Sequence, residues 1–276
     1  MSDKIKKAGV VGWPINHSKS PLIHGHWIDQ FEINGSYEAI ALSPEGFTSG
    51  IRTLIAQGYQ GCNVTIPHKE TALKMADTIS NQAKAIGAAN TLVFKDGKIH
   101  ADNTDGIGFI NNIKQGAPNW LASDGSALVI GAGGAARAII HALLEDAVPK
   151  IIVANRTIEK AAHLAAFFGD KVSAVPMGQI GKMLNETQTL VNTTALGMTG
   201  QPELIIDLYN IPKTALVTDI VYNPLKTALL TQAEERGLQT VDGLGMLLHQ
   251  AVPGFEAWFG ARPIVDKALR QIVLAG

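Results

Sequence analysis

The sequence predicts an α/β protein built as two units, and three observations predict it. Short apolar runs alternate with segments of helical spacing along the whole chain. The alternation is interrupted at 114–126, KQGAPNWLASDGS, the most linker-like composition present, which places a junction between 102 and 126. Beyond it, ALVI, KIIVA, TLVN and ALVTDIV are rich in Val and Ile, as expected of parallel strands covered on both faces. With 276 residues, 46% of them apolar and 17% charged, the chain is long enough for two domains, each with its own core.

In the first unit, 7–12, 37–42, 61–65, 90–94 and 98–101 read as strands, and 20–31, 43–57, 67–76 and 80–87 as helices. The composition also excludes several classes of function. A net charge of −1 offers no basic field for nucleic acid or anionic lipid. A single cysteine, Cys62, rules out an internal disulfide and a thiolate-rich zinc site, and reads as a packing residue on an apolar strand. The polar start MSDKIKK leads into a run too short for a signal-peptide core, and no stretch reaches the ~18 apolar residues of a membrane span. The expected location is cytoplasmic.

The sharpest motif is ALVIGAGGAARAIIHALLEDA, 127–147. A strand ends in Gly131-Ala132-Gly133-Gly134 and passes directly through Ala135 into a helix. Glycines let backbone approach a pyrophosphate, and the helix start offers free N–H groups. Ala136 stands at the third glycine position, where a small residue is allowed. The next strand, KIIVA, ends at Asn155-Arg156-Thr157, where an NAD site would offer an acid ~20 residues past the glycines. Arg156 instead suits a 2′-phosphate, with Lys160 one helical turn on and Asn155 and Thr157 as neutral partners. NADP is therefore favoured over NAD, against the mild dissent of Glu159.

The first unit collects polar residues at strand ends. In GWPINHSKSPLIHG, 12–25, an extended 17–20 would put Ser18 and Ser20 on one side, able to donate to one carboxylate; the alternative makes Ser20 a helix N-cap before Pro21. In GCNVTIPHK, 61–69, Asn63 and Thr65 alternate onto one side, and Lys69 stands on the first helical turn, unfavourable to the dipole. Asn90, Asn103 and Asp105 fall near strand termini, where open α/β sheets collect ligand-binding groups. Asp105 is either a partner for Lys69 or an N-cap on a helix over 106–115. His17, His24 and His26 do not make a metal site, because residues two apart on a helix face apart.

Taken together, GWPINHSKSP, GCNVTIPHK, GAANT, NTDGIGF, GAGGAARA, NRTIEKA, NTTALGM, DIVYNP and GLGMLLHQ occur in the order found in the shikimate dehydrogenases. The resemblance runs from about residue 9 to 260. It implies two α/β domains with a cleft between them, the second a Rossmann-type doubly wound parallel sheet. Residues 1–105 plus 243–276 would form the substrate domain and 106–242 the NADP domain. It implies reversible reduction of 3-dehydroshikimate to shikimate with NADPH in aromatic amino-acid biosynthesis.

Carried over residue by residue, the resemblance gives Ser18 and Ser20 the substrate carboxylate. Thr65, Asn90 and Gln250 take ring hydroxyls, with Asn63 and Tyr222 close by, and Lys69 and Asp105 form the catalytic pair. Gly131, Ala132, Gly133, Gly134 and Ala135 line the pyrophosphate, while Asn155, Arg156, Thr157 and Lys160 hold the adenosine phosphate. Gly243 and Met246 lie near the nicotinamide, and Thr193, in NTTALGM after a strand, lies close to the cofactor. No metal is required. The implied partner is the small-molecule substrate, without nucleic acid or membrane, and a homodimer is left open. The rival readings are a quinate/shikimate dehydrogenase using NAD or NADP, and a nucleotide-sensing paralogue without catalysis. Two positions depart from the family pattern. Gly25 replaces the usual Asn, and is expected to affect helix stability. His68 replaces an aromatic residue beside Lys69, and a protonated His68 would lower that lysine's proton affinity.

Overall fold

Strand β1 (Lys6–Gly12) opens the chain in the computed structural model, which describes residues 5–276, and it is buried from Ala8 onward. After it come α1 (Ser20–Gln30), β2 (Gly35–Ala41), α2 (Phe47–Ala56), β3 (Tyr59–Val64) and α3 (Lys69–Lys74). Next are β4 (Thr78–Ile79), α4 (Asn81–Ile86), β5 (Thr91–Lys95) and β6 (Lys98–Asp102). The six strands form one sheet in the order β2-β1-β3-β5-β6-β4. Pairs β1–β2 and β1–β3 are parallel, whereas β3–β5 and β5–β6 are antiparallel. Phe47, Ile51 and Leu54, at helical spacing on α2, pack with Val11, Cys62 and Leu92 of the sheet. Cys62 is fully buried there, and burial pushes its thiol pKa up, which fits packing rather than reactivity.

Helix α2 starts four residues later than the spacing predicts, because the Ser43 carbonyl and hydroxyl both accept the Gly46 N–H, closing a turn first. Gly25 lies inside α1, and a Cβ there would meet nothing within 4 Å. Gly25→Ala should therefore stabilise the protein by roughly 0.5–1 kcal/mol through helix propensity, read as a rise in Tm. A fall in Tm would mean that the glycine serves a contact outside the helix.

The second part of the chain runs α5 (Asp105–Gly116), β7 (Ser126–Ile130), α6 (Gly134–Glu145), β8 (Ile151–Asn155), α7 (Ile158–Phe168) and β9 (Val172–Pro176). It continues with α8 (Ile180–Met183), β10 (Thr187–Asn192), β11 (Leu216–Asp219), α9 (Ala228–Glu235) and β12 (Gln239–Val241). Helices α10 (Leu244–Phe259) and α11 (Lys267–Ala275) close the chain. The sheet order is β12-β11-β10-β7-β8-β9, and every pair is parallel. This is the parallel sheet that the Val- and Ile-rich runs predict, in the doubly wound Rossmann arrangement that the resemblance implies. Strand alternation divides the side chains between two cores. Ala127 and Val129 join Ile139, Ile140 and Leu143, while Leu128 and Ile130 join Leu190, Leu229 and Leu230.

By their contacts the residues fall into two units, Met1–Thr104 with Leu248–Gly276, and Asp105–Leu247. The second boundary lies inside α10, where the sequence reading put it at 242/243, because one helix serves both units. No helix among the described residues is long and apolar enough to cross a membrane.

Candidate active site

In the first unit the polar residues meet at one end of the sheet, for a topological reason. The chain passes from β1 out to β2 and then back to β3 on β1's other side, so a switch point lies beyond the carboxyl ends of β1 and β3. Antiparallel pairing brings the start of β5 and the end of β6 to that same end, with Asn63 opposite Thr91 and Thr91 opposite Asp102. Ser18, Ser20, Thr65, Lys69, Asn90 and Thr104 all follow or precede these strand ends.

Ser18 and Ser20 are not on an extended segment. The Ser18 N–H donates to Ile15 O at 3.0 Å, closing a turn, and α1 begins at Ser20 itself. Lys19 holds the N-cap position without a side-chain bond, so Ser20 is not the cap; instead, the Ser18 hydroxyl accepts the Ser20 N–H at 3.3 Å. Lys69 is the first residue of α3, and its carbonyl accepts the Ala89 N–H at 2.9 Å, anchoring the helix start beside Asn90. His68 is buried, stacks on Phe47 at 4.4 Å and donates from Nε2 to Leu42 O at 2.7 Å. It thus fills the aromatic role of that position as a ring held by a carbonyl.

Asn90 is the hub. Its Oδ1 accepts the Thr104 N–H at 2.9 Å and the Thr91 hydroxyl at 3.0 Å. Its Nδ2 donates to Thr104 Oγ1 at 3.1 Å and to Gln250 Oε1 at 3.3 Å. The Thr104 hydroxyl donates to Gln250 O at 2.8 Å, so α10 delivers Gln250 to the strand ends. Asn63 belongs to the same network. Its Nδ2 donates to Asn90 O and Thr91 Oγ1 at 3.3 and 3.2 Å, and its Oδ1 accepts the Tyr37 hydroxyl at 2.7 Å. Both amide hydrogens of Asn63 are thus engaged within the protein, while its Oδ1 keeps a second lone pair for a ring hydroxyl. Sequence reasoning missed Tyr37 and Thr104. The signal for Thr104 was its place between Asn103 and Asp105; Tyr37 gave none beyond strand alternation.

Asp105 follows Thr104 directly and is the first residue of α5, inside the helix rather than capping it. The covalent chain alone keeps its Cα about 3.8 Å from that of Thr104.

In the second unit the switch point falls between β7 and β10. Gly131 has φ +110°, and a Cβ there would lie 2.6 Å from Thr193 Oγ1, so only glycine serves. Thr193 binds Ile130 O through both its N–H and its hydroxyl, at 2.8 and 2.7 Å, and presses on the loop from β10. Gly133 and Gly134 are exposed, with nothing within 4 Å of where a Cβ would stand, and α6 has no side-chain cap. Open backbone before uncapped N–H groups, between Ala132 and Ala135, is a cradle that fits a pyrophosphate.

At the end of β8 Asn155 is half-buried, its Nδ2 donating to Thr157 O at 2.7 Å, while Arg156, Thr157 and Lys160 are exposed. Neither Arg156 nor Lys160 forms an ion pair among the described residues. This donor set, two cations without an acid at the strand end, fits a 2′-phosphate. Gly243 packs under Ile220, where a Cβ would come 2.3 Å from the Ile220 carbonyl oxygen. Met246 is buried one turn on, and Tyr222 is half-buried, its hydroxyl pKa raised by burial. Among the described residues no group of three or more His, Cys, Asp or Glu side chains is placed to hold a metal ion.

Three family models match the chain. They are the shikimate dehydrogenase substrate binding domain over 10–92, shikimate / quinate 5-dehydrogenase over 117–214, and the shikimate 5'-dehydrogenase C-terminal domain over 243–272. The shikimate dehydrogenase (NADP(+)) of Paracoccus denitrificans is 53% identical over 269 residues, covering 97% of this chain and 95% of its own. The shikimate 5-dehydrogenase of Thermus thermophilus, solved with NADP(H) and shikimate, superposes with a TM-score of 0.88 at 34% identity, over 98% of this chain and 99% of that one. The quinate dehydrogenase of Corynebacterium glutamicum, solved with NAD, gives a TM-score of 0.91 at 30% identity, over 99% of both chains.

Proposed function

Because this chain belongs to the shikimate dehydrogenase family, we propose that it catalyses the reversible reduction of 3-dehydroshikimate to shikimate with NADPH, a step of aromatic amino-acid biosynthesis. The observation that carries the cofactor choice is the end of β8, where Arg156 stands in place of an acid. The substrate is a small, heavily hydroxylated carboxylate, and the strand ends of the first unit supply hydroxyls and amides rather than apolar walls.

In this reading Ser18 and Ser20 donate to the carboxylate, and Thr65, Asn90 and Gln250 take the ring hydroxyls, with Tyr222 beside them. NADPH, when bound, supplies the hydride that goes to the carbonyl carbon. Negative charge then builds on the carbonyl oxygen. Lys69 meets it as an ammonium and hands over one proton, which leaves an alcohol and a neutral amine; Asp105 holds the lysine in place. The glycine loop, shaped by Thr193 packed against Gly131, would hold the pyrophosphate, and Arg156 and Lys160 would pair with the 2′-phosphate through charge-assisted bonds. The proposed location is the cytoplasm, in keeping with a single buried thiol. A second copy of the chain is a further proposed partner, tested by sedimentation equilibrium.

Initial rates with shikimate or quinate, each with NADP or NAD, test the reading. Turnover should be concentrated in shikimate with NADP. Arg156→Ala should raise the KM for NADP by roughly 10- to 100-fold, the worth of a charge-assisted bond, and leave the NAD rates unchanged. Comparable rates with quinate or NAD would favour the bifunctional reading. Binding without turnover in all four would favour a sensor.

A further inference from the structure

Asp219 closes β11 and is 1% exposed, a buried carboxylate that the mechanism above does not use. Its Oδ1 accepts from Asn192 Nδ2 and from the Val221 N–H, both at 2.9 Å, and its Oδ2 accepts the Thr227 hydroxyl at 2.8 Å. Three donors converge on it and, among the described residues, it makes no ion pair. The Val221 bond also explains why β11 stops at Asp219, although the apolar run continues to Val221. From Asn192 the network goes outward: Oδ1 accepts the Thr194 N–H and hydroxyl at 3.0 and 2.8 Å, and Nδ2 donates to Leu196 O at 3.0 Å. The Asn192 carbonyl accepts the Ile220 N–H at 3.1 Å. One carboxylate thus ties the loop after β10, the loop after β11 and, through Thr227, the start of α9.

These loops have a defined place in a dinucleotide site. The pyrophosphate would lie at the glycine loop after β7, and the adenosine half would turn toward β8, where Arg156 stands. The strand order β12-β11-β10-β7-β8-β9 then leaves the nicotinamide half only the β10–β11 side. Gly243 abuts the same Ile220 carbonyl, so the start of α10 packs on this loop as well.

We propose that Asp219 is a positioning residue for the nicotinamide half of the cofactor, fixing the loops that carry Thr193 and Tyr222 without itself touching the ring. The assignment rests on the NADP reading above. It predicts a split between two ligands, NADP+ and adenosine 2′,5′-bisphosphate, which carries the 2′-phosphate and lacks the nicotinamide half.

Titration calorimetry on the purified protein should show Asp219→Ala weakening NADP+ about tenfold or more, the effect of unmaking buried hydrogen bonds, with the bisphosphate unchanged. Asp219→Asn should rescue NADP+ binding, because its Oδ1 still accepts from Asn192 and Val221 and its Nδ2 meets Thr227 Oγ1, which can accept. Thr227→Val, which strips Oδ2 of its donor and α9 of its N-cap while leaving both bonds to Oδ1, should show the same split to a smaller degree and carries the test where the alanine variant does not fold. Equal loss of both ligands would mean general loosening, and unchanged NADP+ affinity would mean no role; either overturns the assignment. Wild-type protein that bound neither ligand would overturn the NADP reading itself.

Discussion

Lys69→Ala should lower kcat by roughly 10²- to 10⁴-fold, the range a positioned proton donor contributes, and leave shikimate affinity nearly unchanged. The site gives the reason for that division. The carboxylate and ring hydroxyls are held by Ser18, Ser20, Thr65, Asn90 and Gln250 in the proposed roles, whereas the lysine side chain supplies the proton. The Lys69 carbonyl, which any residue supplies, anchors α3 beside Asn90 and is kept in the variant. Lys69→Arg should be nearly as slow as the alanine variant, because a guanidinium keeps the charge but does not release its proton. Steady-state rates together with shikimate titration of the resting enzyme read the two effects apart. A Lys69→Ala enzyme with near-normal turnover would remove Lys69 from the mechanism.

How much of this was legible in the sequence depended on how local the determinant was. The glycine loop was readable because the strand, Gly131 and the helix start are contiguous, and Arg156 because it stands at a fixed distance beyond. The parallel sheet showed itself in the apolar runs of β7 and β8. The antiparallel pairing of β5 and β6 had a signal, Asp96-Gly97, both at positive φ in a tight hairpin, but alternation alone does not report strand direction. Strand β4 has two residues, too few for any period. The side chains least legible are those whose partners are distant in the chain. Nothing near Asn63 reveals Tyr37, 26 residues away, as a group that engages it. Ser20 looked like a cap because Pro21 follows it, while the turn at 15–18 sets the real helix entry.

His24, dismissed in the sequence as a metal ligand, should make the first unit sensitive to acid. The ring is fully buried, stacked on Tyr37 at 3.9 Å and edged by Trp27, and neither ring nitrogen has a hydrogen-bond partner. Burial, the largest cause, lowers its pKa from 6.5 to about 3. The folded state therefore keeps His24 neutral, while the unfolded chain takes up a proton near 6.5. Its contribution to stability is complete above that value, shrinks as pH falls through the window, and is gone below about 3. At 1.36 kcal/mol per pH unit, about 2 kcal/mol is lost by pH 5. His24→Phe keeps the stacked ring and has nothing to protonate. The difference in stability between the variant and the wild type should thus grow by about 2 kcal/mol from pH 7 to pH 5, other titrating groups cancelling in the comparison. Denaturant unfolding followed by the fluorescence of Trp27 and Trp258, both packed around the imidazole, measures it in the unit concerned. A difference that stays constant between the two pH values would mean that the folded core admits the proton.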